Sequence, residues 1–264
     1  MRIALGIEYA GDAFAGWQSQ PHGRTVQDTV EAALACVAGE PVRVTVAGRT
    51  DTGVHATAQV AHFDTGVKRP ETAWVRGTNA HLPSRVAIRW AVEVDERFHA
   101  RFQAVERAYR YLLFNAPVRP AVLSGRVGWF HLRLDEAKMR QAAGLFVGEH
   151  DFSAFRAAAC QAKTPLRVVS EAAVQRRGDM IVLDFRANGF LHHMVRNLVG
   201  ALVCVGKGAQ EPGWIGELLA SRDRTRAAPT FSPAGLYLCG VSYPPCWPLP
   251  DGGRIIARPT LALF

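Results

Sequence analysis

The chain has 264 residues, 48% of them hydrophobic, which is enough to bury a substantial core in one large or two compact domains and excludes a disordered polypeptide. Lys and Arg total 31 against 23 Asp and Glu, a net charge of +8, and 27 of the cations are arginine. That bias favours planar, bidentate contact with phosphate or stacking on bases. No window approaches the roughly 18 to 20 consecutive apolar residues of a membrane span, and the opening MRIALGIEYAG lacks the features of a secretory leader, so a cytoplasmic protein is expected. The five cysteines (Cys36, Cys160, Cys204, Cys239, Cys246) are scattered without a C-x-x-C pair. They predict neither a disulfide framework nor a thiolate metal site, and read as buried small hydrophobes.

Along the chain, Ile3, Leu5, Ile7 and Tyr9 alternate with Ala4, Gly6 and Glu8 at strand period. Thr25 followed by Asp28 predicts a helix start, with Val26, Val30, Leu34 and Val37 at helical spacing until Gly39. PVRVTVAG predicts a second strand and TAQVAHFD a third; ETAWVRGTNAHL predicts a short helix before Pro83, and RVAIRWAVEV a strand. The order is β-α-β-β-α-β.

The second half repeats it. RAYRYLLFN predicts a strand, LDEAKMRQAAGLFVG a helix starting near Asp135, RVVSEAAVQRRGDMIVLDFRAN a hairpin turning at Arg177 and Gly178, FLHHMVRNLVGALVCVG a long apolar helix, and GLYLCGVSYP a last strand. The pattern predicts an α+β protein of two tandem ferredoxin-like halves, residues 1–103 and 104–243, with a mixed sheet and a cleft between the halves. The Pro- and Gly-rich tail, 244–264, is expected to be irregular.

The connection from Gly48 to Thr57 is far longer than a hairpin requires. Gly48 and Gly53 bracket Arg49, Thr50, Asp51 and Thr52, so tight turns can surround the single acid, and small residues admit a planar ligand. His55 and His62 lack the spacing of metal ligands and are expected to be structural, which sets aside a metal-dependent hydrolase built on His55, His62 and His192. Tyr109 and Tyr111 share one strand face with Arg107 and Arg110 nearby, a pattern suited to base stacking and phosphate contact. Arg196 lies four residues after His192 within an apolar helix and needs an acidic partner, for which Asp51 is the candidate. Phosphate-loop, dinucleotide, nucleophile-elbow and H-E-x-x-H motifs are all absent. One loop carboxylate beside a stacking platform suits chemistry at a base or a sugar C1′ without a cofactor; the other reading of the same pattern is a non-catalytic RNA-binding module.

GRTDTGVHA (Gly48 to Ala56), with IEYAGDAFAGWQ, FHARFQAVERAYRY, DFSAFR, FLHHMVRNLVG and GLYL, resembles the bacterial tRNA pseudouridine synthase A family from about Arg2 to Tyr243. Most members have alanine where this chain has Thr52, an added hydroxyl expected to be tolerated. The resemblance implies isomerisation of uridine to pseudouridine at positions 38 to 40 of the tRNA anticodon stem-loop, by a homodimer that uses no metal and no cofactor. It implies Asp51 as the catalytic aspartate, acting as nucleophile or as acid/base, Arg49 as a residue that helps extrude or hold the target nucleotide, Tyr109 stacked on the uracil and a candidate acceptor of the C5 proton, Arg196 paired with Asp51 across the cleft, and Leu236 lining the uracil pocket.

Overall fold

The computed structural model describes residues 1–257, which divide into two compact units, Met1–Glu106 with residues 237–257, and Arg107–Leu236. The first unit opens with β1 (Arg2–Tyr9), α1 (Val26–Ala38), β2 (Thr45–Val46) and β3 (His55–Asp64), then a π turn at Ala73–Gly77 running into α2 (Thr78–His81), and β4 (Val86–Val94). β1 pairs antiparallel with both β3 and β4, as in Ala4 opposite His62 and Val92. The predicted alternation in β1 is present, yet Ala4 and Gly6 are buried as well as Ile3, Leu5 and Ile7. Gly6 lies so close to the Trp90 indole that a Cβ there would stand 2.1 Å from its nitrogen.

α1 starts and stops as its sequence predicts. The Thr25 side chain accepts from the Asp28 N–H, and Gly39 ends the helix in the left-handed region at φ 74°, where glycine carries no Cβ penalty. The second strand is shorter than expected. Val42, Val44 and Val46 are buried in alternation, but the Val44 N–H donates to the Glu31 carboxylate of α1 at 2.9 Å rather than to a strand, which leaves only Thr45–Val46 on β3.

The second unit contains β5 (Glu106–Asn115), β6 (Gly128–Phe130), α3 (Glu136–Gly144), β7 (Gly148–Asp151), β8 (Leu166–Arg177), β9 (Met180–Ala187), α4 (Met194–Gly206) and α5 (Trp214–Ser221). β5, β9, β8 and β7 form an antiparallel series, with β6 parallel to β5. Asp135 caps α3 through the Lys138 N–H at 3.0 Å, at the predicted start. The β8–β9 turn falls one residue later than expected, at Gly178 and Asp179, with Gly178 at φ 59°. The repeated order β-α-β-β-α-β is present, with β6, β7 and α5 added to it.

The long apolar helix begins at Met194, not at Phe190. His193 is left-handed at φ 61°, and the His192 carbonyl, which a continuous helix would give to the Arg196 N–H, accepts from Ala157 at 3.1 Å.

The last predicted strand, β10 (Leu236–Ser242), pairs in parallel with β3 of the first unit, Tyr237 opposite His55 and Leu238 opposite Ala56. The tail is not irregular over its described part. A helical turn at Pro250–Gly253 carries positive φ at Asp251, Gly252 and Gly253, and it returns the chain as β11 (Arg254–Ile256) along β10. β10 would otherwise present bare backbone donors and acceptors on that edge. Residues 258–264 of the tail lie outside the described residues. All five cysteines are free, but only Cys239 is buried; Cys36 and Cys246 are exposed, contrary to the expectation of five buried thiols. No described helix is long and apolar enough to cross a membrane.

Candidate active site

The segment between β2 and β3 is held rigidly at both ends and in the middle. Ala47 N–H donates to the Val60 carbonyl at 2.8 Å, and Trp17 N–H donates to the Thr50 carbonyl at 3.0 Å. Asp51 to Val54 form a turn closed by the Val54 N–H on the Asp51 carbonyl at 3.1 Å, with Gly53 at φ 79° in the position that favours glycine. Just after the loop the β1–β3 register shifts between Ile7/Gln59 and Tyr9/Ala56, so β3 carries a bulge beside it. Bulges of this kind re-aim the chain next to functional sites.

A buried polar network lies under the loop. The Tyr9 hydroxyl is 2.7 Å from Thr50 Oγ1, and Gln59 Nε2 donates both to the Tyr9 hydroxyl at 3.2 Å and to the Gly48 carbonyl at 2.7 Å. Since Tyr9 accepts from Gln59, its own proton is available to Thr50. Burial pushes the Tyr9 pKa up to about 12, so the hydroxyl stays protonated as a donor. Thr50 and Gln59 are buried, Asp51 is half-buried, and Arg49 and Thr52 are exposed.

The chain segment after β1 forms the floor of the loop through two glycines. A Cβ on Gly11 would stand 1.9 Å from the Val54 carbonyl oxygen. One on Gly16, which is left-handed at φ 90°, would meet the Thr50 carbonyl oxygen at 3.0 Å and the Thr52 nitrogen at 3.2 Å. Gly11 N–H also donates to His55 Nδ1 at 3.0 Å, and the His55 ring stacks on Tyr237 with centroids 4.6 Å apart. His62 Nδ1 accepts the Ala100 N–H at 3.1 Å. Each imidazole thus serves the backbone. Gly11, Gly16, Gln59 and the role of Tyr9 as a hydrogen-bonding support are what sequence reasoning did not single out; the signal for Tyr9 and the two glycines was the run IEYAGDAFAGWQ, and nothing local marked Gln59.

The remaining candidate residues belong to the second unit. Tyr109 lies opposite Phe185 of β9, is buried, and meets the Phe190 ring edge-on with centroids 5.1 Å apart. Tyr111 points the same way and is fully buried, its hydroxyl donating to the Ser232 carbonyl at 2.9 Å. Arg110 alternates to the opposite face and does not join the tyrosines. Its guanidinium makes a bidentate pair with Asp184, directly across β9, with both bonds at 2.8 Å. The expectation that Arg110 contacts phosphate beside them is corrected by this pairing.

Arg196 sits in the first turn of α4, half-buried, and its Nε donates to the Phe231 carbonyl at 2.9 Å. Next to it, buried Asn197 donates to the Phe155 carbonyl at 2.7 Å and accepts from Thr230 Oγ1 at 2.7 Å and from Arg224 at 3.2 Å. Gly200 lets the Pro229 carbonyl approach α4, since a Cβ there would lie 2.4 Å from it. Phe231, Ser232 and Gly235 are thus fixed by Arg196, the Tyr111 hydroxyl and the Leu112 N–H respectively. This strap ends in Leu236, buried, at the start of β10.

A family model described as tRNA pseudouridine synthase matches residues 6–103 and 142–244. The tRNA pseudouridine synthase A of Aromatoleum aromaticum is 63% identical over 261 residues, covering 99% of each chain. Those of Thiobacillus denitrificans and Dechloromonas aromatica are 60% and 63% identical, over 96% and 95% of this chain and 98% and 96% of their own. With identity of this order across nearly its whole length, the chain belongs to the tRNA pseudouridine synthase A family.

Proposed function

We propose that this protein isomerises uridine to pseudouridine in tRNA, at positions 38, 39 and 40 of the anticodon stem-loop, acting as a cytoplasmic homodimer. The observation that carries the reading is the fixed Asp51 loop, tied through Thr50 and Gly48 to buried Tyr9 and Gln59, in a member of this family.

The reaction breaks the N1–C1′ bond, turns the uracil and joins C5 to C1′, after which the proton on C5 leaves and N1 takes up a proton, so that the product is an isomer of the substrate. No electrons are gained or lost, so no redox cofactor is required. Cleavage builds positive character on the sugar, which a carboxylate can stabilise or trap, as in glycoside hydrolysis. Asp51 supplies that carboxylate, acting at C1′, at C6 or on a C2′ proton, and Arg196 supplies its counter-charge. Tyr109 stacks on the uracil, and its hydroxyl is the candidate acceptor of the C5 proton. Leu236 contributes an apolar wall to the uracil site. A stem uridine must leave the helix before it can react, and exposed Arg49, two residues before Asp51, suits holding the extruded nucleotide or its phosphate.

The test is tritium release from tRNA labelled at uracil C5, with pseudouridine mapped by position in the product. Release confined to tRNA and mapping to positions 38 to 40 is expected. Tight tRNA binding without release would favour a non-catalytic RNA-binding protein.

A further inference from the structure

The link from β4 to β5, residues 95–105, opens with Asp95 and Glu96 and then carries Arg97, His99, Arg101 and Phe102 in the run RFHARFQ, 97–103. The segment is firmly held. Phe98 is buried with its ring 5.3 Å from those of Tyr243 and Trp247, and the Ala100 carbonyl accepts from the Tyr243 hydroxyl at 2.7 Å. The Ala100 N–H goes to His62, and His99 Nδ1 accepts from both Arg101 N–H at 3.2 Å and Phe102 N–H at 3.3 Å. Gln103 N–H closes the turn on the His99 carbonyl at 3.0 Å.

On this rigid turn Phe102 is 76% exposed. Its ring is stacked with that of His99, centroids 4.2 Å apart and planes 28° from parallel, and the Arg101 guanidinium carbon lies 5.8 Å from its centroid. A scattered exposed phenylalanine needs no explanation. Here the turn fixes the backbone, a second ring holds the orientation, and the Arg101 cation lies beside the ring. Arg97, with its side chain 84% exposed, is balanced by Asp95, to which it donates at 2.9 and 3.0 Å.

We infer that the His99–Phe102 pair is a stacking platform for a nucleobase of the tRNA substrate, with Arg101 contacting the adjoining phosphate. Flat aromatic surface accepts any base, and a preformed stack loses little freedom on binding. The inference rests on the tRNA reading of the function.

The test is the affinity of full-length unmodified tRNA for the intact protein, measured by fluorescence anisotropy over a series of salt concentrations. Phe102→Ala should weaken binding about tenfold, within the range for one stacked base, without changing the slope of log Kd against log salt. Phe102→Trp should restore affinity to within about twofold. Arg101→Gln should reduce the slope by about one phosphate contact. Unchanged affinity in Phe102→Ala, or an unchanged slope in Arg101→Gln, would overturn the platform while leaving wild-type catalysis on tRNA intact. A Phe102→Ala protein that changes its sedimentation but keeps its tRNA affinity would also overturn it, and assign the ring to a protein contact. Failure of the wild type to bind tRNA would instead remove the functional reading itself.

Discussion

The Tyr9 hydroxyl and Thr50 Oγ1 stand 2.7 Å apart in a site closed to solvent, one residue from Asp51. This bond couples the end of the first strand to the loop that carries the acid, and Gln59 ties both to Gly48. Tyr9→Phe removes one hydroxyl and leaves a buried threonine short of a partner, at a cost of about 1 to 2 kcal/mol. Misplacement of a reacting group by a fraction of an ångström is felt mainly in the chemical step. The expected outcome is a kcat lower by about tenfold with KM within twofold, and a lower urea midpoint. Thr50→Val should do the same, and the double variant should lose less than the sum. Single variants with wild-type kcat would show that the bond serves stability alone.

Asp51→Asn keeps the shape of the side chain and removes its charge. Tritium release should disappear while tRNA affinity stays within a few fold, because the neighbouring residues that hold the loop are untouched. Turnover near the wild-type rate would sink the role assigned to Asp51.

Tyr109→Phe keeps an aromatic ring and removes the hydroxyl. Binding should hold while the late proton loss slows, so that quenched reactions contain a rearranged but still C5-protonated adduct. Kinetics identical to wild type would make water the acceptor of that proton.

His62 offers a test of the fold independent of catalysis. Burial, aided by the charges of Arg2 and His99 and opposed by Asp64, holds its pKa down at about 4. In the unfolded chain it titrates near 6.5, so between those values the unfolded state binds more proton. The contribution is therefore fully present above about pH 6.5 and is lost as pH falls toward 4, on the order of 2 to 3 kcal/mol. His62→Asn retains an acceptor for the Ala100 N–H but does not titrate, and its stability should vary less over that window in urea titrations. Parallel pH profiles for the two proteins would contradict this.

How much of this was legible depended on distance along the chain. Thr25, Gly39 and Asp135 mark helix ends because a cap is decided within a few residues, and the alternation of β1 is written in the strand itself. The contents of the Asp51 loop were equally plain. Its supports were not, since the fit of Gly11 and Gly16 against residues 50–54 exists only after about 40 residues of chain have folded back. The start of α4 was missed because His193 adopts a conformation that few side chains take, and β11 because a three-residue strand is specified by the edge it covers. Arg110 was misread for want of a partner strand, since nothing local announces that Asp184 lies opposite it.

The pairing of β10 with β3 bears on how the protein is made. His55 and Tyr237, stacked in the finished molecule, leave the ribosome about 180 residues apart. Everything needed for the second unit, Arg107 to Leu236, is synthesised in the interval, and that unit is one continuous stretch. The first unit begins first and ends last. Until Tyr237 and Leu238 emerge, the edge of β3 beside His55 lacks its parallel partner, and an unfinished sheet edge of that kind is prone to pair with another chain. A nascent protein arrested before the final segment would carry its Asp51 loop on an incomplete sheet.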